Sequence, residues 1–171
     1  MLRSMQPIVD ESSVGLILGT MPSTISLDLQ EYYANPLNQF WKIIYTIFDS
    51  RSEFQIRPMY KEKIRFLKQR KIALWDVLEE CERYNSEDAE IKNPTSNDFV
   101  RLFAEHPNIR YVYFNGQKAE KLFSRSNGHL RFDRLEFFSL PSTSPAYASM
   151  SIENKVRLWS IIRSNSERSD P

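Results

Sequence analysis

Two hydrophobic periods alternate along the chain. Residues 14–18 form a continuous apolar run closed by Gly19-Thr20-Met21-Pro22-Ser23, which predicts a fully buried strand ending in a proline-containing loop. After Pro36 the period changes: Leu37, Phe40, Trp41, Ile44 and Phe48 recur at helical spacing, predicting a helix over 37–48 with proline at its first turn. A second helix is expected over 61–70, and Ile72-Ala73-Leu74-Trp75 reads as another buried strand ending before Asp76. The acidic, polar stretch 79–93 predicts a surface loop with some helix, and Asn97 is placed to cap a helix over 98–105, ended by His106-Pro107-Asn108. Residues 109–114, rich in β-branched and aromatic side chains, predict a third strand, with Asn115-Gly116 introducing a helix over 117–123. Residues 135–140 predict a fourth strand leading into Pro141-Ser142-Thr143-Ser144-Pro145, before a last helix over 152–162 and a frayed tail from Ser164. Strands alternating with helices imply an α/β fold with a parallel sheet covered on both faces and ligand sites beyond the strand C-termini.

Composition narrows the class. At 171 residues the chain is one domain's worth, since domains run to roughly 100–200 residues. Apolar residues make up 41% and charged residues 26%, a globular balance, and 23 Lys+Arg against 22 Asp+Glu leave a net charge of +1, which excludes a histone-like polycation. The neutral total hides a polar distribution. Seven basic residues between Arg57 and Lys71 face one acid, Glu62, and an acidic run follows from Asp76; Lys61, Arg65 and Lys68 share one helix face, either a solvated face or one turned to nucleic acid. The lone Cys81 cannot form an internal disulfide, and with two histidines it makes a protein-built zinc or iron–sulfur site improbable. No export signal or anchor is visible at the N-terminus, so a protein not bound to membrane, cytosolic or nuclear, is expected.

Several strings can carry chemistry. Gly19–Ser23 offers a glycine for close backbone approach and a hydroxyl, though a plain structural turn reads the same way. Tyr32-Tyr33-Ala34-Asn35-Pro36-Leu37-Asn38-Gln39-Phe40-Trp41 sets two tyrosines and two asparagines around a helix start, which suits stacking on a flat ring and hydrogen bonding to its edge. Phe40 and Trp41 in that string read as core and Asn35 as a helix cap. Pro141–Pro145 presents three hydroxyls and backbone N–H groups on a rigid turn, as phosphate-contacting loops require; an ordinary Ser/Pro turn is the alternative. No Walker loop, Gly-x-Gly-x-x-Gly, Gly-x-Ser-x-Gly or His-Glu-x-x-His is present, which removes P-loop hydrolysis, dinucleotide redox chemistry and serine-hydrolase chemistry from the front rank.

In order and spacing, Gly19–Ser23, Tyr33-Ala34-Asn35-Pro36-Leu37-Asn38-Gln39-Phe40-Trp41, Phe114-Asn115-Gly116-Gln117-Lys118-Ala119 and Leu140-Pro141-Ser142-Thr143-Ser144-Pro145-Ala146 together resemble the uracil-DNA glycosylase superfamily, and within it most nearly the hypoxanthine-DNA (deoxyinosine) glycosylase branch. The resemblance spans about residues 14–163 of a chain expected to be one domain over 1–171. It implies a three-layer α/β/α sandwich around a four-stranded, mainly parallel sheet, and hydrolysis of the N-glycosidic bond of a flipped, deaminated base in DNA. Met21 stands where uracil-removing relatives carry an Asp or Asn that orients water, and Leu140 replaces the His or Asn before the second motif's Pro-Ser. In the hypoxanthine branch an asparagine of the second string takes over, which maps to Asn38.

The resemblance thus implies that Asn38 positions the attacking water through its amide oxygen and that Tyr33 stacks on hypoxanthine. Backbone groups of Thr20 and Met21 would hold the base edge and its developing charge, Trp75 would line the pocket unless it is core, and Ser23, Ser142 and Ser144 would grip flanking phosphates. No cofactor or metal is implied, and the partner is DNA bearing a deaminated base, bound by a monomer. Three alternatives stand beside it: a uracil- or xanthine-directed glycosylase of the same fold, a damaged-DNA-binding relative without catalysis, and an enzyme acting on free nucleosides.

Overall fold

The computed structural model describes residues 1–83 and 91–169. Its centre is a four-stranded sheet in the order β3 (Ile72–Asp76), β2 (Gly15–Gly19), β6 (Tyr111–Asn115), β7 (Glu136–Leu140), with every neighbouring pair parallel. The period of two sorts its side chains between the faces. Leu16, Leu18, Ala73, Val112 and Phe114 enter one core, shared with α5 (Phe99–Glu105) and α6 (Gln117–Asn127). Ile17, Leu74 and Tyr113 enter the other, packed by α2 (Phe40–Ile47), α4 (Tyr60–Gln69), α7 (Ile152–Trp159) and α8 (Ile161–Arg168). The parallel sheet covered on both faces is therefore present. Short helices α1 (Thr24–Leu29) and α3 (Arg51–Gln55) complete the connections.

Five local expectations are corrected. Residues 35–38 are a turn rather than the start of a helix: Asn35 C=O accepts from Asn38 N–H at 2.9 Å, and α2 begins only at Phe40. Part of the acidic stretch expected to be loop is strand: β4 (Leu78–Glu82) lies between β1 (Leu2–Arg3) and β5 (Lys92–Ser96) in a second, antiparallel sheet; residues 84–90 lie outside the described residues. Asp98, not Asn97, caps α5, accepting from Arg101 N–H at 3.0 Å, while the buried Asn97 amide donates to Asp76 C=O at 2.9 Å.

The expected C-terminal helix is two helices, and the tail is packed rather than frayed. Ser160 Oγ donates back to Val156 C=O at 2.8 Å, a bond that bends helices, and α8 starts beyond it. Asn165 Nδ2 donates to Tyr113 Oη at 3.0 Å and Ser166 Oγ to Arg70 C=O at 2.9 Å, so polar residues that look solvated serve buried partners. Burial pushes the Tyr113 hydroxyl up, with the Asn165 bond opposing that shift. Among the described residues no helix is long and apolar enough to cross a membrane.

The cap assignment carries a test. Asp98→Ala lowers unfolding stability by about 1 kcal/mol, a fall in Tm of roughly 2–4 °C by thermal melting. An unchanged melting curve would contradict the assignment.

Candidate base-binding pocket

The C-terminal ends of β2, β3, β6 and β7 open into one cavity of about 600 Å³, the position expected for an open parallel sheet. Its floor is the β2 turn. An added Cβ on Gly19 would lie 2.5 Å from Asp76 Oδ1 and 3.0 Å from Tyr33 Oη, so only glycine lets these two groups converge there. Asp76 is 3% exposed, lines the cavity, and accepts from Ser4 Oγ at 3.1 Å through Oδ2.

One wall is the string 33–38. Tyr33 holds a left-handed backbone, φ 54°, an unusual conformation for a bulky residue, fixed here by its ring. The ring stacks on buried Phe40 at 3.9 Å between centroids, and its hydroxyl accepts from Asn115 Nδ2 at 3.0 Å. Asn38 lines the cavity with its amide already oriented: Oδ1 accepts from Phe40 N–H at 2.9 Å at the head of α2. An amide oxygen has two lone pairs, so a second acceptor site remains on the Oδ1 expected to hold water. Asn35 Oδ1 accepts from Leu37 N–H in the same way, which stiffens the turn.

The opposite wall is the loop after β7. Thr143, expected to present a hydroxyl with Ser142 and Ser144, is instead completely buried: its N–H donates to Asn115 Oδ1 at 2.9 Å and its Oγ1 accepts from Asn115 Nδ2 at 2.9 Å. Asn115 thereby ties Tyr33 to this loop, and Gln39 N–H reaches Thr143 C=O at 3.0 Å, so the two walls are joined by direct hydrogen bonds. Ser142 and Ser144 do line the cavity, each accepting from a backbone N–H two residues on, which leaves hydroxyl protons to donate.

Of the remaining predicted residues, Thr20 and Met21 line the cavity. The Thr20 C=O accepts from Leu78 N–H, so of that pair of backbone groups the N–H side is the one suited to a ligand. Met21 and Leu140 are apolar core, as their side chains require. Ser23 also lines the cavity, with its hydroxyl engaged as N-cap of α1, accepting from Ser26 N–H at 3.2 Å. Trp75 is not brought in: its indole donates to Met5 C=O at 3.0 Å and packs edge-on to Phe99, because strand alternation sends it and Asp76 to opposite sides. Asp76 and Asn115 are cavity residues to which sequence reasoning gave no role, as are Ser26 and Tyr147.

The basic run does not line this cavity. Lys63 lies over Trp41, and Arg70 over Phe48 and Phe66, while Lys61, Arg65 and Lys68 are exposed on α4.

No family model matches the chain. It is 34% identical to the hypoxanthine DNA glycosylase of Methanosarcina acetivorans over 161 residues, covering 94% of this chain and 96% of that protein. It is 35% identical to the hypoxanthine DNA glycosylase of Methanosarcina barkeri over 113 residues, 66% of this chain and 70% of that one. Its fold matches the solution NMR structure of a uracil DNA glycosylase candidate from Methanosarcina acetivorans with a TM-score of 0.79 and 32% identity, covering 96% and 98% of the two chains. With the identity extending over nearly the full length of both proteins, and the fold shared, the chain belongs to the hypoxanthine DNA glycosylase family.

Proposed function

We propose that the chain is a monofunctional DNA glycosylase that hydrolyses the N-glycosidic bond of deoxyinosine flipped out of DNA. The observation that carries this reading is the convergence of Asn38, Tyr33 and Asp76 on one cavity at the sheet's C-terminal edge, in a chain of this family. A cavity of about 600 Å³ is of the size that encloses a small flat ligand.

In this reading the Tyr33 ring face opposite Phe40 stacks on hypoxanthine. N–H groups of Thr20 and Met21 donate to the base edge and stabilise negative charge as the bond from C1′ to the base breaks, with its electron pair leaving on the base. The sugar becomes oxocarbenium-like and is captured by a water held at Asn38, whose oxygen bonds to C1′; the water's proton passes to solvent and the base is protonated in turn. Such a step needs orientation more than a strong base. Water is the only co-substrate, so the mechanism needs no metal or organic cofactor. Asp76, as a carboxylate, offers only acceptors and suits the ring N1–H that hypoxanthine carries and adenine lacks. Inosine pairs less stably than a normal base, so flipping it costs less than extruding an intact pair, which adds selectivity.

The test uses labelled oligonucleotides bearing one deoxyinosine, deoxyuridine, deoxyxanthosine or no lesion, treated with hot alkali after incubation. Strand breaks at deoxyinosine are expected. DNA binding without breaks on any substrate would make the chain a recognition module.

Ser142 and Ser144 grip the phosphates that flank the flipped nucleotide, and this too is measurable; the Ser23 hydroxyl, which donates to Ser26 Oγ at 3.1 Å, has its one proton already engaged. Ser142→Ala with Ser144→Ala weakens binding by roughly tenfold, at about 0.7 kcal/mol net for each hydroxyl-to-phosphate bond exchanged for one to water, equally for every base tested. A loss confined to deoxyinosine would contradict a phosphate role.

A further inference from the structure

Lys155 lies in the second turn of α7, where Ile152, Val156 and Trp159 mark the buried face, and it is only 1% exposed. Its ammonium donates to Gln39 Oε1 at 2.9 Å and to Tyr147 C=O at 2.8 Å, and stands 5.1 Å from the centroid of the Tyr147 ring. Every one of these partners is neutral. Among the described residues Lys155 forms no ion pair, and burial alone pushes its pKa down from the ordinary lysine value. A buried cation is normally paired, because desolvating an ammonium is costly and an apolar side chain of the same length would fill the space more cheaply.

The placement explains the exception. Gln39 directly follows Asn38, and Tyr147 closes the loop that carries Ser142 and Ser144; both Tyr147 and that loop line the cavity. Lys155 therefore sits behind the junction of the two walls and clasps them through one side chain. Its charge, set in protein rather than water, is weakly screened and reaches the outer surface of the loop.

We infer that Lys155 is a positioning residue and a standing positive charge whose counter-ion is the DNA backbone phosphate seated on the Ser142–Tyr147 loop. This rests on the glycosylase reading above. Lys155 does not touch the reacting atoms; it fixes the loop that holds the phosphate and supplies the charge that the loop's hydroxyls and N–H groups lack.

The experiment compares wild type with Lys155→Met, which keeps length and loses charge, for binding to a duplex carrying a tetrahydrofuran abasic site between 50 and 200 mM salt. The slope of log K against log salt is expected to fall in magnitude by about one and the low-salt affinity by roughly tenfold. A merely structural clasp would weaken binding or cleavage while leaving the slope unchanged, and that result overturns the inference, as does a loss confined to the cleavage rate. Should Lys155→Met not fold, NMR of lysine-labelled wild type decides by sign. A phosphate neighbour raises the Lys155 pKa on DNA binding, by one unit or more, whereas added burial alone lowers it. A wild type that binds the duplex and cleaves deoxyinosine with an unmoved Lys155 rejects this inference only; a wild type that cleaves nothing rejects the glycosylase reading.

Discussion

Asn38→Ala is expected to lose about 10²- to 10⁴-fold in the single-turnover rate at deoxyinosine, the range for removing a group that handles the reacting water, with binding to an abasic duplex little changed. The geometry gives the reason for expecting a rate effect. The 35–38 turn, closed by Asn35 C=O and stiffened by the Asn35 side chain, delivers Asn38 to the cavity wall, and the Phe40 N–H fixes its amide plane. Alanine removes both the water's acceptor and the acceptor for Phe40 N–H. The second loss resembles a lost helix cap and costs about 1 kcal/mol, visible as a small fall in Tm. The two effects therefore separate: stability falls slightly, affinity holds, rate collapses. Asn38→Asp keeps an acceptor for both partners and should recover part of the rate. If Asn38→Ala cleaves within about threefold of wild type, the water is oriented elsewhere and Asn38 is only a cap.

Three of the four sheet strands were legible because they are buried on both faces and so write themselves as apolar runs, as Gly15–Gly19 does with every residue buried, whereas the edge strand Glu136–Leu140 is largely exposed and was legible from its aromatic pair Phe137-Phe138. The second sheet was not. Leu78–Glu82 and Lys92–Ser96 are partly solvated, carry charges and a proline, and pair through an irregular register, so neither shows a clean alternation. The site divides the same way. Asn38, Tyr33, Ser142 and Ser144 stand in strings whose order resembles a family, and the chain brings them to one cavity. Asp76 reads as the first of several acids in Asp76-Val77-Leu78-Glu79-Glu80, and only its burial at a strand end sets it apart from the half-buried Glu79 and Glu80. Lys155 hides among Glu153, Asn154 and Arg157 as one more surface charge. One signal was present: it stands three residues after Ile152 and four before Trp159, on the apolar stripe of its helix.

Asp76→Ala is expected to lower kcat/KM for deoxyinosine by roughly 10- to 100-fold, the effect of removing one charge-assisted hydrogen bond to the base. What each base presents at N1 sets the effect. Hypoxanthine carries a donor at N1, and adenine a lone pair, so an acceptor-only group over Gly19 favours the first and repels the second. Sites built around such a bond reject analogues lacking the matching group far more strongly than apolar pockets discriminate by shape. Asp76→Asn supplies both a donor and an acceptor at the same place, so it loses discrimination more than affinity. Inhibition by the free bases reads this without chemistry: wild type is inhibited by hypoxanthine over adenine, Asp76→Ala by neither strongly, and Asp76→Asn by the two more nearly alike. Because Oδ2 also accepts from Ser4 on the N-terminal segment, Ser4→Ala serves as the control for a purely structural effect. If it reproduces the Asp76→Ala phenotype, the carboxylate acts by bracing that segment; if hypoxanthine inhibits Asp76→Ala as well as wild type, the base is read by the N–H groups of the β2 turn alone.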